Sequence, residues 1–169
     1  MAAPPKPPVI DALEFARKSL VIHDTIALSH FSRLSDALAS ADGGLDYELN
    51  GYIGADSRPR LRLHISGAIQ LTCQRCLEPL GFVVETDIDY ILVTDEGMIP
   101  SQDEEGEIDD YLVASSQTLV IELLEDELLL ALPFAPKHQE CADKADLKMQ
   151  TEKQSPFAVL RGLKTPKRD

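Results

Sequence analysis

The longest regular pattern in the chain has a period of two. Leu45, Tyr47, Leu49, Gly51 and Ile53 alternate with Asp46, Glu48 and Asn50, as a strand with one face in a core requires. The segment Gly54-Ala-Asp-Ser-Arg-Pro59 interrupts the alternation as a turn. A second strand then places Leu61, Leu63, Ile65, Gly67, Ile69, Leu71 and Cys73 on its apolar face, with Arg58, Arg60, Arg62 and His64 opposite. A third lines one face with Phe82, Val84, Ile88, Tyr90 and Leu92 and the other with Glu85, Asp87 and Asp89. Three consecutive strands with short connections predict an antiparallel β-meander. In that arrangement the basic row lies between two acidic rows, Asp46/Glu48 and Glu85/Asp87/Asp89. The cross-strand pairs are worth about 0.2–1 kcal/mol each, which favours ion pairing over an RNA-binding stripe.

Elsewhere the period lengthens towards that of a helix. Asp11 followed by Glu14 is a capping-box spacing before Leu13, Phe15 and Ala16. Ser29 as N-cap, with Phe31, Leu34 and Leu38 behind it and Gly43-Gly44 as a stop, predicts a second helix. Tyr111-Leu-Val reads as a short strand. Leu119 to Leu132, ended by Pro133, is the strongest helical segment. Glu122, Glu125 and Asp126 share its polar side, whereas Glu127 falls within the apolar arc. That position makes Glu127 either an edge residue or a buried carboxylate held by an arginine. Near the C-terminus, Ser155 precedes Pro156, Phe157, Leu160 and Leu163 on one side of a short helix, with Arg161 and Lys164 on the other. This segment reads as a docking helix that folds back on the body or engages a partner. The pattern as a whole predicts an α+β protein, an antiparallel meander sheet packed with a few helices. One domain is expected over residues 1–141, followed by a basic tail over 142–169.

Composition narrows the function. A chain of 169 residues with 44% hydrophobic content can bury a real core. Leu119–Leu132 carries Glu122, Glu125, Asp126 and Glu127, too many charges for a membrane span. Four prolines among the first eight residues would break a signal-peptide helix, so a cytoplasmic protein with loose termini is expected. Asp95 to Asp110 holds eight acids and no base, the composition of a solvated, mobile loop. The net charge of −13 argues against nonspecific affinity for nucleic acid. Residues 153–169 reverse the sign, with Lys153, Arg161, Lys164, Lys167 and Arg168 against Asp169. An acidic body with a basic tail suits basic protein partners.

Candidate chemistry is concentrated in Leu71-Thr72-Cys73-Gln74-Arg75-Cys76-Leu77-Glu78-Pro79-Leu80-Gly81, a Cys-x-x-Cys turn between the second and third strands. Such a pair grips a metal through two thiolates or forms a redox couple. His138 and Cys141 would complete a Cys₃His zinc site with Cys73 and Cys76. A thioredoxin-like pair would start a helix in a βαβ unit, whereas these cysteines join two strands. No Ser/His/Asp set, phosphate-binding glycine loop or metal-hydrolase motif appears, which points away from an enzyme.

Taken together, Cys73-Gln-Arg-Cys76-Leu-Glu-Pro79, Gly106-Glu-Ile-Asp109, Glu125-Asp-Glu-Leu-Leu-Leu-Ala-Leu-Pro133, His138 with Cys141, and Pro156-Phe-Ala-Val-Leu160 resemble the bacterial YceD family. Its members are known as large ribosomal RNA subunit accumulation proteins. The resemblance runs from the cysteine turn to the C-terminus, and the N-terminal third fits by length and layout alone. It implies a non-enzymatic role in the synthesis, processing or stability of large-subunit 23S ribosomal RNA. Ribosomal proteins or rRNA maturation factors would be its partners, with direct or indirect association with the 23S rRNA precursor. The zinc reading rests on the residues themselves. Two other classes remain open, a zinc-stabilised interaction module of different purpose and a thiol redox protein using Cys73 and Cys76.

Overall fold

The fold is given by a computed structural model, which describes residues 7–100 and 110–141. Part of the acidic loop and the tail, including the segment expected to form a docking helix (Pro156, Phe157, Leu160, Arg161, Leu163, Lys164), lie outside the described residues. The predicted meander is the centre of the molecule. β3 (Gly44–Ile53), β4 (Pro59–Thr72) and β5 (Pro79–Val93) pair antiparallel in sequence order. Leu63 lies opposite Leu49 on one side and Ile88 on the other, so the apolar faces coincide across the sheet. Leu45, Tyr47, Leu49, Leu61, Leu63, Ile65 and Leu71 are all buried. The alternation ends at Ile53, which is exposed at the end of its strand.

Two further strands widen the sheet to five, in the order β2-β3-β4-β5-β6. β6 (Asp110–Val113) contains the expected Tyr111-Leu-Val strand and runs parallel to β5, with Tyr90 opposite Asp110. β2 (Val21–Ala27) has no period-two signature in the sequence. It is an edge strand in which Ile26 is buried and Val21 is exposed, so burial does not impose alternation on it.

α1 (Ala12–Arg17) starts where the capping box placed it. The Asp11 carboxylate accepts the Glu14 N–H at 2.9 Å, and Ala12, Phe15 and Ala16 are buried. This helix lies directly on β3 at Gly51. A Cβ there would stand 2.6 Å from the Phe15 carbonyl oxygen, so the close approach requires glycine. β1 (Val9–Ile10) and β7 (Thr118–Leu119) form a small two-stranded ribbon. α2 (Val120–Ala131) follows immediately and has no side-chain cap, but the Val120 N–H donates to the Pro8 carbonyl. Val120, Leu123, Leu124, Glu127 and Leu128 form its buried stripe.

The helix expected from Ser29 to Leu38 is absent. A 3-10 turn at Leu28–His30 is followed by irregular turns. Phe31 and Leu34 are buried nonetheless. The backbone beyond them bonds to the end of β4: Thr72 N–H donates to Ala37 O at 2.9 Å and Ala39 N–H to Gln70 O at 2.7 Å. Leu38 bridges Leu71. The helical spacing of the apolar residues therefore satisfies the core while the backbone groups pair with the sheet.

Candidate metal centre

The end of β4 carries the apolar phase of the strand one residue further, and Cys73 is fully buried. The chain then turns through Cys76 and Leu77 into Pro79, which lies opposite Thr72. The turn is closed by Leu77 N–H to the Cys73 carbonyl at 2.9 Å and Cys73 N–H to the Glu78 carbonyl at 3.0 Å. Leu77 has φ 62°, in the left-handed region that permits so tight a reversal. The segment leaving α2 returns to this turn, where the Gln74 N–H donates to the Pro136 carbonyl at 2.8 Å. His138 and Cys141 follow on that segment.

The potential ligand atoms of Cys73, Cys76, His138 and Cys141 all lie within 4.8 Å of one another. Cys73 Sγ is 3.6 Å from Cys141 Sγ, Cys76 Sγ is 3.4 Å from His138 Nδ1, and Cys141 Sγ is 3.9 Å from the same nitrogen. A tetrahedral zinc with ordinary Zn–S and Zn–N bonds has ligand-to-ligand edges of about 3.5–3.8 Å, and the three separations lie close to that range. A disulfide would require about 2.05 Å between sulfurs. His138 Nε2–H donates to the Pro79 carbonyl at 3.2 Å, which fixes the tautomer that leaves Nδ1 as a ligand. The backbone N–H groups of Cys76, His138 and Arg75 hold the Cys73 thiolate and, against burial, bring its pKa down to about 5. Burial and the neighbouring Cys73 and Cys76 sulfurs push Cys141 up to about 11. A divalent cation would relieve that crowding. These four residues are thus placed to hold a metal ion.

The basic row on β4 is taken up within the sheet. Each side chain reaches an acid two residues before its direct partner on β5: Arg60 to Asp89 at 3.0 Å, Arg62 to Asp87 at 2.5 Å, and His64 to Glu85 at 3.5 Å. Arg60 also holds Asp56 at 3.1 Å. The acids of β3 do not join this set. Asp46 accepts the Thr25 hydroxyl at 2.6 Å, and Glu48 accepts the Asn50 amide at 2.5 Å.

Two carboxylates on α2 depart from the sequence reading. Glu127 is buried, but its Oε1 accepts the Tyr90 hydroxyl, and no arginine among the described residues holds it. Glu125, expected on the polar side, is also buried. It accepts the Arg33 backbone N–H at 2.6 Å and Arg33 Nε at 2.9 Å. Arg33 lies in the irregular segment 31–38, which the sequence read as a helix, so no local pattern could announce the pairing.

The fold and this centre define a class, an α+β protein whose central strand turn and post-helix segment share one Cys₃His cluster. No helix among the described residues is long and apolar enough to cross a membrane. The chain belongs to the family described as large ribosomal RNA subunit accumulation protein YceD, whose model matches residues 61–164. It is 25% identical over 170 residues to the large ribosomal RNA subunit accumulation protein YceD of Haemophilus influenzae, covering 94% of this chain and 95% of that protein. No solved structure matches the chain. The family name implies a role in the accumulation of large-subunit ribosomal RNA.

Proposed function

We propose that this protein is a non-enzymatic, cytoplasmic ribosome biogenesis factor that supports accumulation of 23S ribosomal RNA by holding basic ribosomal or maturation proteins. Family membership over residues 61–164 is the observation that carries this reading. The net charge of −13 and the pairing of Arg60 and Arg62 within the sheet favour basic protein partners over bare RNA. Cys73, Cys76, His138 and Cys141 would hold one zinc, which when bound supplies a cross-link between the β4–β5 turn and the segment after α2. Four protein ligands leave no open position on such an ion, so its role is structural. In this scheme residues 1–141 form the body and the basic tail 142–169 engages the partner through Pro156, Phe157, Leu160, Arg161, Leu163 and Lys164.

The test is the ratio of large-subunit to small-subunit ribosomal RNA in cells lacking the protein. A selective fall that wild type rescues supports the proposal. Failure of an accumulating Cys73→Ala/Cys76→Ala variant to rescue would place the cysteine turn in that role. An unchanged ratio under conditions where the protein is made would overturn it.

A further inference from the structure

A cleft of about 330 Å³ opens where β6 begins beside β5. β6 pairs with β5 from Tyr90 onward, and among the described residues the preceding part of β5 has no strand on that side. Asp87 and Asp89 of β5, Asp110 of β6 and Glu127 of α2 line it, together with Arg60. We propose that this cleft receives an arginine side chain from a basic protein partner, a contact that rests on the partner-holding function proposed above.

The carboxylates are unequally satisfied. Asp87 holds Arg62, and Asp89 shares Arg60 with Asp56. Among the described residues, Glu127 and Asp110 have no basic partner. Glu127 is 7% exposed, and its Oε1 accepts the Tyr90 hydroxyl. A carboxylate buried to that degree is costly unless a cation joins it. Burial is also what raises its pKa, with Asp110 and Asp126 adding to the effect. Two more acceptors of the same cleft, Thr86 Oγ1 and Asp89 Oδ1, are buried and make no hydrogen bond among the described residues, and the Arg60 Nε donor there is unpaired as well. Buried polar atoms are normally paired, so acceptors on β5, β6 and α2 leave this cleft a demand for donors that Arg60 Nε does not meet.

The spread of these acceptors selects the ligand. The cysteine cluster brings its ligand atoms within 4.8 Å of one another, as one metal ion requires, and the cleft carboxylates form no such group. A guanidinium carries five N–H donors in a planar fork and can reach separated oxygens together. The open edge of β5 offers backbone groups to the segment that carries it.

The experiment uses the full-length protein and a fluorescein-labelled pentapeptide of alternating valine and arginine. A matched peptide with neutral citrulline in place of arginine is the control. Binding of the arginine peptide alone is expected. Asp110→Asn and Glu127→Gln should each weaken it about tenfold, since each removes a charge facing the guanidinium. Glu122→Gln, which removes an equal charge from the exposed side of α2, should change it by less than about twofold through the screened field alone. Asp110 is exposed, so its variant folds whatever becomes of Glu127→Gln. Equal weakening by all three variants, unchanged binding by the cleft variants, or no binding by wild type would overturn the proposal. So would displacement of the peptide by magnesium chloride but not by sodium chloride of equal ionic strength. A fall in large-subunit RNA on deletion, combined with unaltered peptide binding by the variants, would refute the cleft and leave the proposed function standing. An unchanged RNA ratio with cleft-specific peptide binding would do the reverse.

Discussion

Tyr90→Phe tests whether the buried Glu127 is held by a single hydroxyl. The substitution keeps the ring, which is 9% exposed and packed in the core, and removes only the donor to Glu127 Oε1. A hydrogen bond to a charged group is worth about 1.5–3 kcal/mol, and that is the expected loss at pH 7.5. For a chain of this size the midpoint falls by about 2–4 °C per kcal/mol. The pH dependence carries the sharper test. Burial raises the Glu127 pKa and the Tyr90 hydroxyl lowers it, so the variant moves it further up. The folded state then binds the proton more tightly than the unfolded chain, whose carboxyl titrates near about 4.3, and stability falls as pH rises through the window between the two. The gap between wild type and variant should therefore be widest at neutral pH and shrink towards about 1 kcal/mol below pH ~4, where the acid is neutral. Urea unfolding at both pH values measures it, and in a Glu127→Gln background the cost of Tyr90→Phe should become independent of pH. A loss below about 0.5 kcal/mol at neutral pH, or an equal loss at both, would refute the account of Glu127 as a strained buried carboxylate.

Other consequences follow from the same contacts. Purified protein should contain one zinc per chain, and a chelator should lower its unfolding midpoint, whereas Cys76→Ser should lack both the metal and the chelator response; metal-free wild type with the same midpoint would contradict the site. Gly51→Ala forces a methyl against the Phe15 carbonyl and should cost about 1–3 kcal/mol in denaturant unfolding. Arg62→Ala should leave the denaturant midpoint nearly unchanged, because both partners are about half exposed and solvent screens the pair. The hydrogen bonds from Arg62 hold the Asp87 carboxyl below its usual range, so the Asp87 titration followed by NMR should return towards an ordinary carboxylate value in that variant.

Much of the sheet was legible because burial on one face writes itself into alternate positions. Leu61 to Cys73 read as one apolar row, and the row is buried except at Gly67, which is only partly so. The capping box at Asp11 and the stop at Pro133 were legible for a similar reason, since backbone chemistry at a helix end selects the residue there. β2 escaped notice because an edge strand has little burial to enforce a period. The segment after Ser29 misled because apolar spacing records which side chains are buried, whereas the choice between helix and irregular backbone was made by the end of β4, distant in sequence.

The candidate centre divides along the same line. The residue types and the Cys-x-x-Cys spacing determined that Cys73 and Cys76 can grip a metal together, because three residues span a tight turn. Whether His138 and Cys141 join them depends on where the chain returns after α2. Only the packing of that helix on the sheet, with the Gln74–Pro136 hydrogen bond, decided it. The pairings of Glu125 with Arg33 and of Glu127 with Tyr90 belong to the tertiary structure for the same reason. A local pattern states that a carboxylate sits at a given angle on a helix. What that angle faces is set by residues 92 and 37 positions away, through contacts that no short-range periodicity encodes.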